Sequence, residues 1–205
     1  MMRISEHVRC IDFPCKDTVR DVYVVPGIEI EPDKIRLVMI SECAAPQLAD
    51  GYYAGGEALF ERTTLQAFRD AGAPVARFED LLAMGVYLTT AIKCGKTSYV
   101  IQKETIQNCC RLLEEELAFF PNVAVYLLMG DAAIKAFNLM SMRQGSGRVI
   151  PAGSTYKIRG TPNFYNGRRV IPSYLQAGPA FFIEKSKRQM IAEDIRTALA
   201  IMQAV

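Results

Sequence analysis

The sequence has no tryptophan and a single histidine, His7, close to its N-terminal end. A lone histidine in that position argues against mechanisms that need an imidazole in the body of a domain. No apolar stretch approaches the ~20 residues needed to span a bilayer. The longest, residues 123–129 (VAVYLLM), suits a buried strand instead. The opening MMRISEHVRC has no apolar segment of the kind a signal peptide requires. A cytoplasmic location and no membrane partner are therefore expected. Charge of one sign is also scarce: 24 Lys and Arg against 22 Asp and Glu leave +2. That balance neither demands nor excludes nucleic acid, so the placement of the charges must decide. Internal repeats and low-complexity tracts are missing, as are a Walker loop, a Ser–His–Asp triad and a two-metal carboxylate set.

What is present is a globular composition, 50% hydrophobic and 22% charged over 205 residues. A chain of this length forms one domain and buries roughly 70% of its unfolded surface without disulfides. We expect a single domain over 1–205, with 1–34 as an N-terminal segment. Six cysteines in a reducing compartment read as buried thiols, metal ligands or nucleophiles. Apolar runs at 35–40 (IRLVMI), 86–92 (VYLTTAI) and 124–129 predict strands. Helical spacing predicts helices over about 59–71, from 103 to before Pro121, over 131–139 and over 180–202. Two further strands, 156–158 and 168–171, are expected around Asn166-Gly167. Strands alternating with helices define an α/β domain, a three-layer sandwich on a mainly parallel sheet. Ligands of such sheets bind beyond the carboxyl ends of the strands. Glu42, Thr89-Thr90, Gly130 and Ser173-Tyr174 fall at those ends.

The order of short motifs resembles the uracil-DNA glycosylase superfamily, closest to its iron–sulfur-containing fourth family, over about residues 35–200. Ser41-Glu42-Cys43-Ala44-Ala45 stands where that family has Gly-Glu-Ala-Pro-Gly, and Tyr52-Tyr53-Ala54-Gly55 where it has Pro-Phe-Val-Gly. Thr89-Thr90-Ala91-Ile92-Lys93-Cys94 matches Thr-Asn-Val-Val-Lys-Cys. Cys109 precedes Leu113-Glu114-Glu115-Glu116-Leu117 as a family cysteine precedes Leu-Glu-Glu-Glu-Leu. Leu128-Met129-Gly130-Asp131-Ala132-Ala133 matches Leu-Gly-Ala-Thr-Ala-Ala, and Ser173-Tyr174-Leu175-Gln176 falls at Thr-Tyr-His-Pro. Two departures matter. The base-reading asparagine is replaced by Thr90, and the histidine by Leu175, or by Gln176 if the register slips one residue.

The resemblance implies a DNA glycosylase that hydrolyses the bond between sugar and a flipped-out base. Glu42 is then the group that orients water or stabilises the sugar cation, though a Glu at a strand end also serves as a loop cap. Tyr53 stacks the base with Tyr52 beside it, and Ser41, Thr90 and Gln176 line its pocket. Both tyrosines equally suit half-buried loop anchors, and Thr90 an ordinary strand position. Without the Asn and His pair, uracil selection weakens, and a modified, bulkier pyrimidine becomes the expected base. Such bases occur in phage DNA, which would make this an antiviral enzyme, with DNA repair as the alternative role. Plain uracil excision and a catalytically inactive DNA-binding protein are the alternatives.

Two further groups complete the reading. Cys10, Cys15, Cys94 and Cys109 match the four cysteines that hold a structural [4Fe–4S] cluster in the family. Cys110 competes with Cys109, and the Cys10–Cys15 separation exceeds the family's. Zinc, or plain buried thiols with no cofactor, are the alternatives. Cys43 has no partner histidine and is not expected to be a nucleophile. Lys93, Arg148, Arg168, Arg169 and Lys185 are expected to contact DNA at the mouth, with other basic residues around them. Phe181 or Phe182 is expected to wedge into the duplex, although either also suits helix packing.

Overall fold

The computed structural model describes residues 1–204. Its strands in chain order are β1 (Thr18–Val19), β2 (Leu37–Cys43), β3 (Val86–Ile92), β4 (Gly95–Lys96), β5 (Val125–Met129), β6 (Asn163–Tyr165) and β7 (Arg168–Ser173). Its helices are α1 (Leu59–Asp70), α2 (Phe78–Ala83), α3 (Lys103–Leu117), α4 (Asp131–Arg143), α5 (Thr155–Ile158), α6 (Ala180–Ile183) and α7 (Lys185–Ala204). The continuous apolar runs of β2, β3 and β5 can be satisfied only if both faces of the sheet are covered. They are. The five-stranded sheet has the order β3-β2-β5-β7-β6, parallel except for β6. Val38 and Ile40 face α3 and α4, while Leu37 and Met39 face α1, α2 and α7. This is the expected three-layer α/β arrangement.

Several boundaries differ from the sequence expectation. β2 runs on to Cys43, so Glu42 belongs to a strand rather than a loop. Residues 156–158 form one turn of helix, not a strand. Asn166 and Gly167 both have positive φ, 49° and 77°. A two-residue turn of that type demands strands immediately on either side, so β7 pairs with 163–165 instead. The helix expected over 180–202 breaks at Glu184, whose ψ of 77° is not helical. The short helix α2 was not expected.

The N-terminal segment is tied down by polar contacts. β1 pairs with β4, and Val24 N–H donates to the Lys93 carbonyl at 2.7 Å. Buried Asp17 accepts from Gln102 N–H at 2.7 Å and from the Thr105 hydroxyl. It therefore caps the exposed N–H groups at the start of α3 from a distant part of the chain.

Candidate active site

After β2 the chain turns to the α1 face; after β5 it turns to the α4 face. β2 and β5 are neighbours, so their outgoing connections diverge and leave a crevice between them. The β2–β5 register pairs Ile40 with Leu128. Continued by two residues, it sets Glu42 level with Gly130. Glu42 lies at the floor of this crevice. Its Oε1 accepts from Ala132 N–H at 3.4 Å, and Lys96 Nζ stands 3.5 Å from Oε2. The carboxylate thus sits at the N-terminal end of α4, where exposed N–H groups favour negative charge. Gly130 makes room for it. A Cβ at Gly130, built at its φ of 102°, would stand 2.7 Å from Glu42 Cγ and Oε1.

Above Glu42 opens a cavity of about 490 Å³. Its polar lining includes Lys96, Asp131, Lys135, Ser173 and Lys187; Tyr99, Ile106, Tyr174 and Leu175 supply the apolar walls. Leu175, at the position of the family's histidine, therefore does face the cavity. The lysines are matched by carboxylates: Lys96 by Glu42, Lys135 by Asp131 at 2.5 Å, Lys187 by Glu184. Tyr99 is 93% exposed on the rim, and Val100, Phe182 and Ile183 are also exposed.

Successive strand residues point to opposite faces, so Ser41 turns away from Glu42 and meets a different group. The Tyr52 hydroxyl lies 2.5 Å from Ser41 Oγ and accepts from Gln176 Nε2 at 2.7 Å. Ser41 Oγ in turn donates to Gln176 Oε1 at 3.4 Å, closing a ring. Burial raises the Tyr52 phenol to about 12 despite these bonds. Thr90 lines a small void beside Tyr52, but its hydroxyl donates to the Ile92 carbonyl at 2.9 Å. Tyr53 is not placed to stack a base. Its hydroxyl accepts from Leu88 N–H at 2.8 Å, along the outer edge of β3, and its ring packs on Phe78 and Tyr87. Burial drives its phenol pKa well up.

The expected basic rim is largely absent from the mouth. Lys93 is fully buried, paired with equally buried Glu116 and bonded to Thr89 Oγ1 and the Thr90 carbonyl. It presents no charge to DNA. Glu116 also accepts from Tyr87 at 2.7 Å. Of the run Glu114–Glu116, only Glu116 is buried. Residues 109, 113 and 116 follow helical spacing and share the buried stripe of α3. Arg168 and Arg169 open β7, at the opposite end of the sheet from the mouth. Arg168 holds the Tyr126 hydroxyl and the Pro121 carbonyl; Arg169 holds the carbonyls of Thr161 and Asn163. Arg148 is exposed but follows α4, which runs back from the mouth to that same far end. Lys185 is exposed beside a groove shared with Asp70 and Arg188. Phe181 is 3% exposed and packs in the core under α7, so it cannot wedge into a duplex; Phe182 is the exposed neighbour.

Four thiols gather beneath the N-terminal segment. Burial raises Cys94 to about 11, and the nearby Cys10 and Cys15 thiols push the same way. Burial raises Cys109 to about 12, with Cys15 and Cys94 adding to it. Cys110 faces elsewhere: its thiol donates to the Gln107 carbonyl at 3.2 Å, and Arg143 Nη1 lies 3.5 Å from its sulfur. Among the described residues, no three His, Cys, Asp or Glu side chains converge as a single bound ion requires. A cubane cluster distributes four thiolates over separate irons.

No family model matches the chain. Over 96 residues it is 31% identical to a type-5 uracil-DNA glycosylase of Thermus thermophilus. The match spans 47% of this chain and 41% of the relative, so the chain covers less than half of that protein's length. Among solved structures it is similar to the wild-type UNG of Nitratifractor salsuginis, at 12% identity and a TM-score of 0.43. That match covers 87% of this chain and 81% of the other. A point mutant of the same protein gives 12% identity, a TM-score of 0.44, and 87% and 82% coverage. The sequence match is to the uracil-DNA glycosylase superfamily, in line with the resemblance carried by the motifs. The relative is described as type 5, and nothing in the match singles out the fourth family.

Proposed function

We propose that this protein is a DNA N-glycosylase and that Glu42 is its catalytic carboxylate. The observation that carries the reading is the placement of Glu42: at the switch-point crevice, under an open cavity, against Gly130, where any side chain would displace it. In the reaction the bond from C1′ to the base nitrogen breaks, and its electron pair leaves with the base. The sugar becomes cationic, and Glu42 lies where a negative charge offsets that cation. Water then bonds to C1′, its proton passing to Glu42 and on to solvent or the departing base. The partner is DNA. Because each lysine lining the cavity has a carboxylate neighbour, binding relies on apolar rim contacts from Tyr99 and Phe182 as well as on phosphates. Its salt dependence is accordingly shallow.

The base is proposed to be a modified pyrimidine rather than uracil. Thr90 spends its hydroxyl on its own strand and Leu175 offers no hydrogen bond, so the two-point reading of uracil has no counterpart at these positions. A role against phage DNA follows from that substrate; a repair role follows if uracil is released. Cys10, Cys15, Cys94 and Cys109 are the residues that would hold a [4Fe–4S] cluster, with Cys109 preferred because Cys110 turns to Arg143. When bound, the cluster supplies structure rather than chemistry. A second reading, a DNA-binding protein without activity, is favoured by Thr90 and Leu175 standing where the resembling family has its Asn and His.

The test uses anaerobically purified protein and two DNAs, one bearing uracil and one rich in modified pyrimidines. Released bases and abasic sites are measured by mass spectrometry, with Glu42→Gln as control. Release from the modified DNA, lost in Glu42→Gln, is the expected result. Release from neither DNA while both proteins bind DNA equally would sink the catalytic reading in favour of the binding protein.

A further inference from the structure

We infer that Tyr52 is a specificity-determining plug: clamped by Ser41 and Gln176, it fills the space below Thr89 and Thr90 and bars a pyrimidine ring from it. The inference rests on the glycosylase reading for its biological meaning, but its geometry stands apart from Glu42.

The void beside Tyr52 holds about 20 Å³, bounded by Val24, Pro26, Ala44, Phe60, Thr89 and Thr90. One water takes roughly 30 Å³ of liquid, and a pyrimidine ring several times that. What fills the remaining space is the phenol. Its ring lies 5.3 Å from Phe60 and stacks at 6.2 Å on Phe78. Its hydroxyl is saturated, donating to Ser41 Oγ and accepting from Gln176 Nε2, while Gln176 also reaches Thr64 Oγ1 at 3.4 Å. Ser41 and Gln176 are themselves buried, at 1% and 0% exposure. A closed, fully satisfied ring of this kind is rigid, because opening any bond leaves a buried polar atom unpaired.

The composition of the ring supports its being a unit. Ser41, Tyr52 and Gln176 stand where the resembling family has Gly, Pro and Pro. None of those three residues offers a side-chain hydrogen bond, whereas the three here bond one another. The backbone around the plug is held as well. Tyr53 sits at φ 63°, a costly conformation for a tyrosine, anchored through its hydroxyl to Leu88. Gly55, with φ 78°, is held through its N–H on Glu61 at 3.0 Å. Tyr52 is thus fixed on both sides, and the 490 Å³ cavity over Glu42 is left as the place for the base. Small pyrimidines gain no enclosing contacts there, and larger ones do.

The experiment measures binding of free uracil by ligand-observed NMR, which does not depend on catalysis. Wild type, Tyr52→Ala and Gln176→Ala are compared, each first shown to be folded by thermal unfolding. Wild type is expected to bind uracil weakly. Tyr52→Ala is expected to tighten binding about tenfold or more, with Gln176→Ala between. If Tyr52→Ala does not fold, Gln176→Ala alone decides, since it releases the clamp and leaves the ring in place. Wild type binding uracil as tightly as the opened variants overturns the plug. Absence of base release from any DNA, with the NMR gain intact, would refute the glycosylase reading and leave the plug standing.

Discussion

Gly130→Ala tests the placement of Glu42 more sharply than removal of Glu42 itself. At φ 102° and ψ 171° the backbone of Gly130 lies in a region open essentially to glycine alone. Alanine there costs about 1–3 kcal/mol in backbone strain. Its Cβ would also stand 2.7 Å from Glu42 Cγ and 2.9 Å from Cδ, so the carboxylate must move. A displacement near 1 Å at a reacting group is worth about 100-fold in rate. The strain alone lowers the melting temperature by roughly 2–12 °C, at 2–4 °C per kcal/mol for a chain of this size. Single-turnover base release and thermal unfolding would be measured for Gly130→Ala, Glu42→Ala and the double variant. If the methyl acts through Glu42, the loss of stability from Gly130→Ala shrinks once Glu42 is shortened, because only the strain remains. Equal losses in both backgrounds, with base release unchanged in Gly130→Ala, would refute the reasoning.

Two other outcomes follow from the buried groups. Cys109→Ser is expected to abolish bound iron and acid-labile sulfide in anaerobically purified protein, and Cys110→Ser to leave them near wild type; equal loss in both would contradict the assignment. Glu116→Gln strands the buried Lys93 charge and is expected to cost about 3–5 kcal/mol. Replacing the pair together with Lys93→Met and Glu116→Leu should recover only part of that loss in thermal unfolding, because the Tyr87 and Thr89 hydroxyls lose their acceptor, and a double variant no better than the single would argue that the stranded charge is not the cause.

Much of the architecture was legible because burial writes itself into pattern. β3 and β5 are buried from end to end, as strands covered on both faces must be, and their bounds fell close to expectation. Glu42 was expected just past a strand, and the structure places it within β2, against Gly130. The side chains of Tyr52 and Tyr53 were not, since adjacent aromatic residues in a loop give no clue to which turns inward. A hydroxyl that finds Leu88 across 35 residues leaves no local signal. The lysine at 93 was misplaced for a similar reason: a charge following a strand reads as surface until the helix stripe containing Glu116 is laid against it. Arg168 and Arg169 were misassigned by sequence neighbourhood. They open a parallel strand whose other end, at Ser173, is the one that reaches the site.

The capping of α3 by Asp17 also bears on how the chain is made. Cys10 and Cys15 leave the ribosome before the groups that receive their segment, which lie in β4 and α3. Synthesis proceeds at about 5–20 residues per second, so Cys15 waits roughly 4–16 s for Cys94 to appear. During that interval the early thiols are bare to any oxidant, and neither Cys94 nor Cys109 has yet emerged. The latch then forms from ordinary hydrogen bonds as soon as residues 95–105 emerge. Docking of the segment that carries Cys10 and Cys15 is therefore timed by translation of residues 95–105, and a pause upstream of Gly95 would lengthen its exposure.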